Sequence, residues 1–188
     1  NVGCIPKKLY VYASEYAAAW RESAGFGWRA EDVSFDWNTL RDNKTNEIAR
    51  LNAIYARLLE APGVDIIEGH AALEGPQDVV VGESRYRAEK ILLATGTWPA
   101  MPEIPGIELA LTSNDIFDME RFPERLLIVG GGYIATEFAS IFSGLGASVV
   151  QSYRDELFLR GFDHDVRRFL AEEMRKAGVD LRFNHHVM

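Results

Sequence analysis

Cys4, the single cysteine of the chain, stands within Asn1-Val2-Gly3-Cys4-Ile5-Pro6-Lys7-Lys8. The thiolate, not the thiol, is the nucleophile, and a helix N-terminus or nearby cations favour it. Pro6 predicts a helix beginning beside Cys4, because proline suits a first turn whose N–H groups lack partners in any case. This places the thiol at the positive end of a helix dipole, with Lys7 and Lys8 adding charge. Lysines in a first turn oppose the same dipole, so they call for a partner elsewhere. A lone cysteine is ordinarily a small buried hydrophobe; the cationic neighbours and the helix start favour the reactive reading.

The second chemical signal is Gly130-Gly131-Gly132-Tyr133-Ile134-Ala135, of the form G-x-G-x-x-A. It directly follows the apolar run 126–129 and opens a helical pattern, and that strand–turn–helix frame gives a weak motif its meaning. Gly130 permits the tight turn, and Gly132 lets a pyrophosphate approach the helix N-terminus. Ala135 takes the place where a third small residue allows helix and strand to pack closely. Glu137 lies one turn further on, on the face of Tyr133. A carboxylate there would repel a pyrophosphate unless neutralised, and Lys7 is the candidate partner. The following strand ends Gln151-Ser152-Tyr153-Arg154, without the acid that binds the ribose of NAD, and Arg160 comes soon after. Two arginines suit a 2′-phosphate, so NADP is expected over NAD. Asp155 and Glu156 leave open the alternative that both arginines merely pair with neighbouring acids.

These residues need elements to hold them. Apolar spacing predicts a helix from 6 to about 22 and a second from Asp36, a good N-cap, to about Glu60. Strands are expected at 64–72, 78–81, 85–88 and 90–94, then a proline-punctuated crossing segment over 97–123. From Arg125 strand and helix alternate: strand 126–129, helix 133–143, strand 148–153, helix 165–177 and strand 179–183. That alternation is the mark of a parallel sheet in an α/β fold.

Composition narrows the function class. The 188 residues are 47% hydrophobic and 26% charged, ordinary for a globular protein with a sizeable core. A net charge of −8 argues against a nucleic-acid partner, which demands a basic surface. No apolar run reaches membrane-spanning length. One cysteine allows no intrachain disulfide, which favours a reducing, cytoplasmic setting. No metal-ligating pattern stands out, and His185 and His186 fit no motif.

Taken together, these residues resemble the flavoprotein disulfide reductases that bind two dinucleotides, and most of all their glutathione-reducing branch. Asn1 to Lys8 is similar to the distal half of that family's redox-disulfide motif. Arg50 to Tyr55, Glu68 to Ala72, Ala94-Thr95-Gly96, Gly130 to Glu137 and Leu159 to Asp163 follow in the family's order. The resemblance implies a partial Rossmann-like FAD/NAD(P)-binding fold. Residues 1–121, with crossing segment 97–121, would be part of the FAD domain, and 122–188 the first half of the NADP domain. It implies FAD and NADP(H) as cofactors, a homodimer in the intact protein, and glutathione disulfide as the substrate.

Residue roles follow from the resemblance in the same way. Cys4 would be the flavin-proximal thiol, Lys7 and Glu137 would pair beside the flavin, and Tyr133 would be a gate that moves as nicotinamide enters. Tyr55 would stand near the disulfide substrate; as a helix-face aromatic it could equally be core. His70 and Ala71 would meet the adenine side of FAD through backbone atoms, and Ala94, Thr95 and Gly96 would pass close to the flavin. Gly130, Gly131, Gly132, Ile134, Ala135, Arg154 and Arg160 would bind NADP. The family's second redox cysteine would lie two residues before Asn1. Its flavin phosphate motif and histidine–glutamate acid–base pair are not in this sequence, which predicts that residues 1–188 alone do not turn over. Trypanothione reductase stays open as an alternative, with dihydrolipoyl dehydrogenase disfavoured by Lys7-Lys8. So does a non-catalytic NADP-binding module.

Overall fold

A computed structural model describes residues 2–29 and 32–187, so Asn1 of the cysteine motif lies outside the described residues. The chain forms two compact units, one of Asn1–Ile48 with Pro102–Met188 and one of Ala49–Met101.

In the first unit, helix α1 spans Cys4–Ser23. It starts two residues earlier than the proline suggested, which places Pro6 inside the first turn. Proline fits there because the first N–H groups of a helix have no intrahelical acceptor. Helix α2 spans Trp37–Glu60 and gives its residues up to Ile48 to this unit. Asp36 caps it as expected, accepting from the Thr39 N–H at 2.6 Å.

The crossing segment is irregular, with short 3₁₀ turns at Ile107–Leu109 and Asp115–Asp118. The second of these packs into the first unit. Tyr10 is fully buried and donates its hydroxyl to the Phe117 carbonyl at 2.7 Å. Its ring stands 5.2 Å from that of Trp37, whose indole N–H donates to the Met119 carbonyl at 2.8 Å. Burial, and then the nearby Asp118 charge, holds the Tyr10 hydroxyl well above the usual tyrosine range, so it stays a donor. Buried Lys44 is neutralised by Asp118, Nζ to Oδ1 2.6 Å.

The second unit carries an antiparallel meander. Its strands are β1 (Ala71–Leu73), β2 (Asp78–Val81) and β3 (Ser84–Arg87), in order β1-β2-β3. Val80 lies opposite Ala72 on one side and Arg85 on the other. Two expected strands are corrected here. Residues 64–70 and 90–94 have no ladder, and Leu92 is 89% exposed. Apolar composition favours a strand only when neighbouring strands accept its backbone groups.

The expected alternation is present in the first unit. Strand β4 (Arg125–Val129), helix α3 (Tyr133–Gly144), strand β5 (Ser148–Ser152), helix α4 (His164–Lys176) and strand β6 (Asp180–Arg182) follow in turn. All strand pairs are parallel in order β4-β5-β6, with Val129 beside Ser152 and Ser152 beside Arg182. Helix α4 begins at His164, one residue before the expected start, because Asp163 caps it by accepting from the Asp165 and Val166 N–H groups. Phe138, Ile141 and Phe142 of α3 pack with Tyr10, Trp37, Phe117 and Val149 in one core. Helix α1 crosses α3 closely at Gly144, where an added Cβ would stand 2.9 Å from the Ser14 Cβ.

Candidate dinucleotide and redox site

The glycine turn between β4 and α3 is held from beneath. Gly130 donates its N–H to the Ser152 carbonyl at 2.9 Å. Gln151 is fully buried, and its Nε2 donates to the Gly130 carbonyl at 3.0 Å and to Thr136 Oγ1 at 3.2 Å. Thr136 Oγ1 in turn donates to the Gly132 carbonyl at 3.1 Å. Gly130 and Gly132 are thereby fixed before any ligand arrives. Gly130 adopts a φ of 145°, a conformation that side chains rarely take, and an added Cβ would touch Ala135 Cβ at 3.4 Å. That contact is the close helix–strand packing for which a small residue at 135 was expected.

The turn suits a dinucleotide pyrophosphate. Gly132 is the N-cap of α3, with no side chain bonded to the first amides, and nothing lies within 4 Å of a Cβ added there. Free N–H groups at a helix N-terminus facing open space are an anion site. Ile134, in the first turn of α3, is partly exposed beside it.

The loop after β5 folds back on the same turn. Leu159 donates its N–H to the Gly131 carbonyl at 2.6 Å, although its own φ of 58° is unusual for leucine. Arg167 of α4 ties the loop down, with Nε to the Phe158 carbonyl at 2.7 Å and Nη2 to the Leu157 carbonyl at 2.5 Å. These bonds offset the backbone strain, and Arg160 directly follows the residue that bonds to the turn. Tyr153 lies against Gly131: a Cβ on Gly131 would be 2.5 Å from its ring. The Asp155 carboxylate, accepting its hydrogen bond, holds the Tyr153 hydroxyl above the ordinary tyrosine range. Partial burial adds to this, and the charges of Arg160 and Arg154 oppose it. Arg154 Nε is 4.0 Å from Asp155 Oδ1, so the pairing left open in the sequence is present for one arginine.

The redox end sits on α1. Cys4 is exposed in the first helical turn. Lys7 is turned inward, its side chain 9% exposed, and forms an ion pair with Glu137, whose side chain is 44% exposed. The Lys7 Nζ also lies 5.0 Å from the centre of the exposed Tyr133 ring. Thus the lysine that the dipole of α1 disfavours is neutralised by a carboxylate from α3. The same contact draws Lys7, Tyr133 and Glu137 together.

The other expected residues lie in the second unit. Tyr55 is on α2 and exposed, His70 immediately precedes β1, and Ala71 begins it. Ala94, Thr95 and Gly96 run through an irregular exposed stretch, where Gly96 has a φ of 73° and open space beside it. Sequence reasoning missed Gln151, Thr136 and the Tyr153–Gly131 contact. A glutamine inside the apolar run Val149-Val150-Gln151 was the available signal, since a buried amide must serve a hydrogen bond.

The whole chain, residues 1–188, matches the family described as pyridine nucleotide-disulphide oxidoreductase. The chain belongs to that family, whose members are flavin-dependent oxidoreductases. It is 47% identical over 186 residues to a glutathione reductase of Burkholderia cepacia, covering 99% of this chain and 41% of that protein. It is 39% identical over 201 residues to a trypanothione reductase of Trypanosoma congolense, covering 99% and 41%. Among solved structures, the HOCl-induced flavoprotein disulfide reductase RclA from Escherichia coli superposes with a TM-score of 0.81 at 30% identity, covering 100% of this chain and 40% of that one. The chain therefore spans about two fifths of the length of these relatives. The fold is the FAD/NAD(P)-binding fold of this family. Among the described residues, no helix is long and apolar enough to cross a membrane.

Proposed function

We propose that the intact protein is an NADPH-dependent flavoprotein disulfide reductase acting on glutathione disulfide, and that this chain carries its redox helix and the start of its NADP site. The observation that carries this reading is the Lys7–Glu137 pair. It joins the helix that begins at Cys4 to the helix that opens on the glycine turn, so thiol and nucleotide site share one rigid support. Residues 1–121 contribute to the FAD side and 122–188 to the NADP side.

When bound, FAD would supply the two-electron relay between nicotinamide and the redox disulfide of which Cys4 would be one half. The work left to this chain is positioning. Gly130, Gly132 and the first amides of α3 receive the pyrophosphate, and Arg154 and Arg160 receive a 2′-phosphate. Tyr133, exposed at the start of α3, covers the approach to Lys7. Cys4, exposed, would form the redox disulfide with a second cysteine; once that bond is reduced, the second thiolate would attack the substrate disulfide and Cys4 would then displace it from the mixed disulfide. His70, Ala71, Ala94, Thr95 and Gly96 are assigned to FAD, and Tyr55 to the substrate side. The open space at Gly96 agrees with a close approach of a cofactor to backbone there. A homodimer in a reducing, cytoplasmic setting completes the reading. Glutathione as substrate is supported by the identity to the Burkholderia protein.

The test is steady-state NADPH oxidation by the intact protein, with glutathione disulfide, trypanothione disulfide or lipoamide as the alternative disulfide acceptors. Turnover with glutathione disulfide and a far lower kcat/KM for the others is expected. Preferential turnover of trypanothione disulfide would reassign the substrate, and NADP binding without any disulfide reduction would reduce the protein to a binding module.

A further inference from the structure

Gln151 is a polar residue in an apolar place. It sits on the central strand β5 with Ile128 and Leu181 as its lateral partners, and it is fully buried. Burying an amide is unfavourable unless its hydrogen bonds are made. Only half of this one is served, since Oε1 is buried and meets no donor among the described residues. The Nε2 end directs both its protons to the glycine turn, one to the Gly130 carbonyl at 3.0 Å and one to Thr136 Oγ1 at 3.2 Å. The amide can stand only this way round, because a carbonyl accepts and never donates. The Thr136 hydroxyl, accepting from Gln151, turns its own proton to the Gly132 carbonyl at 3.1 Å.

A trans peptide carries its C=O and N–H on opposite edges, so holding a carbonyl aims the amide that follows it. Gln151 in this way sets the Gly131 amide directly and the Tyr133 amide through Thr136. The Leu159 N–H, 2.6 Å from the Gly131 carbonyl, sets the Gly132 amide between them. Gly131 is buried beneath the Tyr153 ring, whereas Gly132 and Tyr133 are exposed where α3 opens. We propose that Gln151 is a positioning residue for dinucleotide binding, holding the first and last peptides of the turn as the pyrophosphate needs them. This role rests on the reading of the turn as a dinucleotide site. An apolar side chain of the same length would avoid burying an unmet acceptor, so the amide serves the turn rather than the core.

Calorimetric titration of the intact protein with NADP⁺, beside thermal unfolding without nucleotide, compares the parent with Gln151→Met. Methionine keeps the length and bulk and removes both donors. NADP⁺ affinity should fall about threefold to tenfold, the scale of the hydrogen bonds removed, while the unfolding midpoint stays level or rises. Adenosine 2′-monophosphate, which lacks the pyrophosphate, should bind both proteins alike. Unchanged NADP⁺ affinity overturns the proposal, as does a loss matched by a lower unfolding midpoint, which would make Gln151 a packing residue only. Equal weakening of adenosine 2′-monophosphate overturns it too. Thr136→Val removes the hydroxyl link at similar size, and must show the same selective loss should Gln151→Met fail to fold. A parent that does not bind NADP⁺ overturns the dinucleotide reading itself. A parent that binds it beside an indifferent Gln151→Met overturns the role of Gln151 alone.

Discussion

The ring of Tyr153 lies so close to Gly131 that a methyl group on the glycine would stand 2.5–2.6 Å from three of its carbons. Gly131 is the free position of the G-x-G-x-x-A pattern, yet here the partner across the turn fixes its identity. Its backbone is not among those with a positive φ, so the constraint is the ring alone.

Gly131→Ala should therefore destabilise the protein by about 1–3 kcal/mol, the usual cost of overpacking a tight contact. In a Tyr153→Ala background the same substitution should cost little. Thermal unfolding of the four proteins of the cycle reads the coupling. Strict additivity would show that the ring does not determine this position.

Lys7 and Glu137 are unequally buried, and their substitutions should be unequal too. Glu137→Gln leaves an ammonium group with little water and no counter-charge, at a cost of about 1–3 kcal/mol. Lys7→Met keeps the buried stem; it strands Glu137 Oε2, which is shielded, but the side chain is 44% exposed and can turn that oxygen to water, so it should cost less. Chemical denaturation of both variants decides the order. A greater loss from Lys7→Met would mean that the pair is held mainly for the sake of Glu137.

Asp36 caps α2, and the hydrogen bonds from Thr39 hold its carboxyl below the usual carboxylate range. A lowered native value means the stabilisation is present above the unfolded-state pKa and fades as pH falls through the native one. Asp36→Asn should keep most of the cap, because asparagine also accepts from these amides. It should also flatten the acid limb of the stability profile. Stability measured against pH from neutrality downward checks this; an unchanged acid limb in Asp36→Asn would assign that dependence to other carboxyls.

What could be read from the sequence was whatever is decided locally. The alternation from Arg125 onward, the glycine turn and the Asp36 cap each depend on residues a few positions apart, so spacing alone reveals them. The Lys7–Glu137 pair was legible for another reason: each residue conflicts with its own helix end or expected ligand, and the two conflicts cancel. Gln151 and Tyr153 were not recognised, because their roles depend on which backbone lies opposite across the turn. The runs 64–70 and 90–94 misled because an apolar β-branched segment states a preference, and only neighbouring strands convert it into a ladder.

The long reach of α1 bears on the order in which the molecule assembles. Strand β4 through β6 is a contiguous stretch whose contacts close short loops, whereas Tyr10 meets Phe117 across 107 positions. Loop closure costs more entropy as the separation grows, and local contacts form faster. The helix bearing Cys4 precedes strands β4–β6 in the chain, yet by this reasoning it should dock after them, onto a β4–α3–β5 frame that is already in place. Until then its aromatic face stays unshielded. The interval before docking is when the nascent chain is most exposed to misassociation.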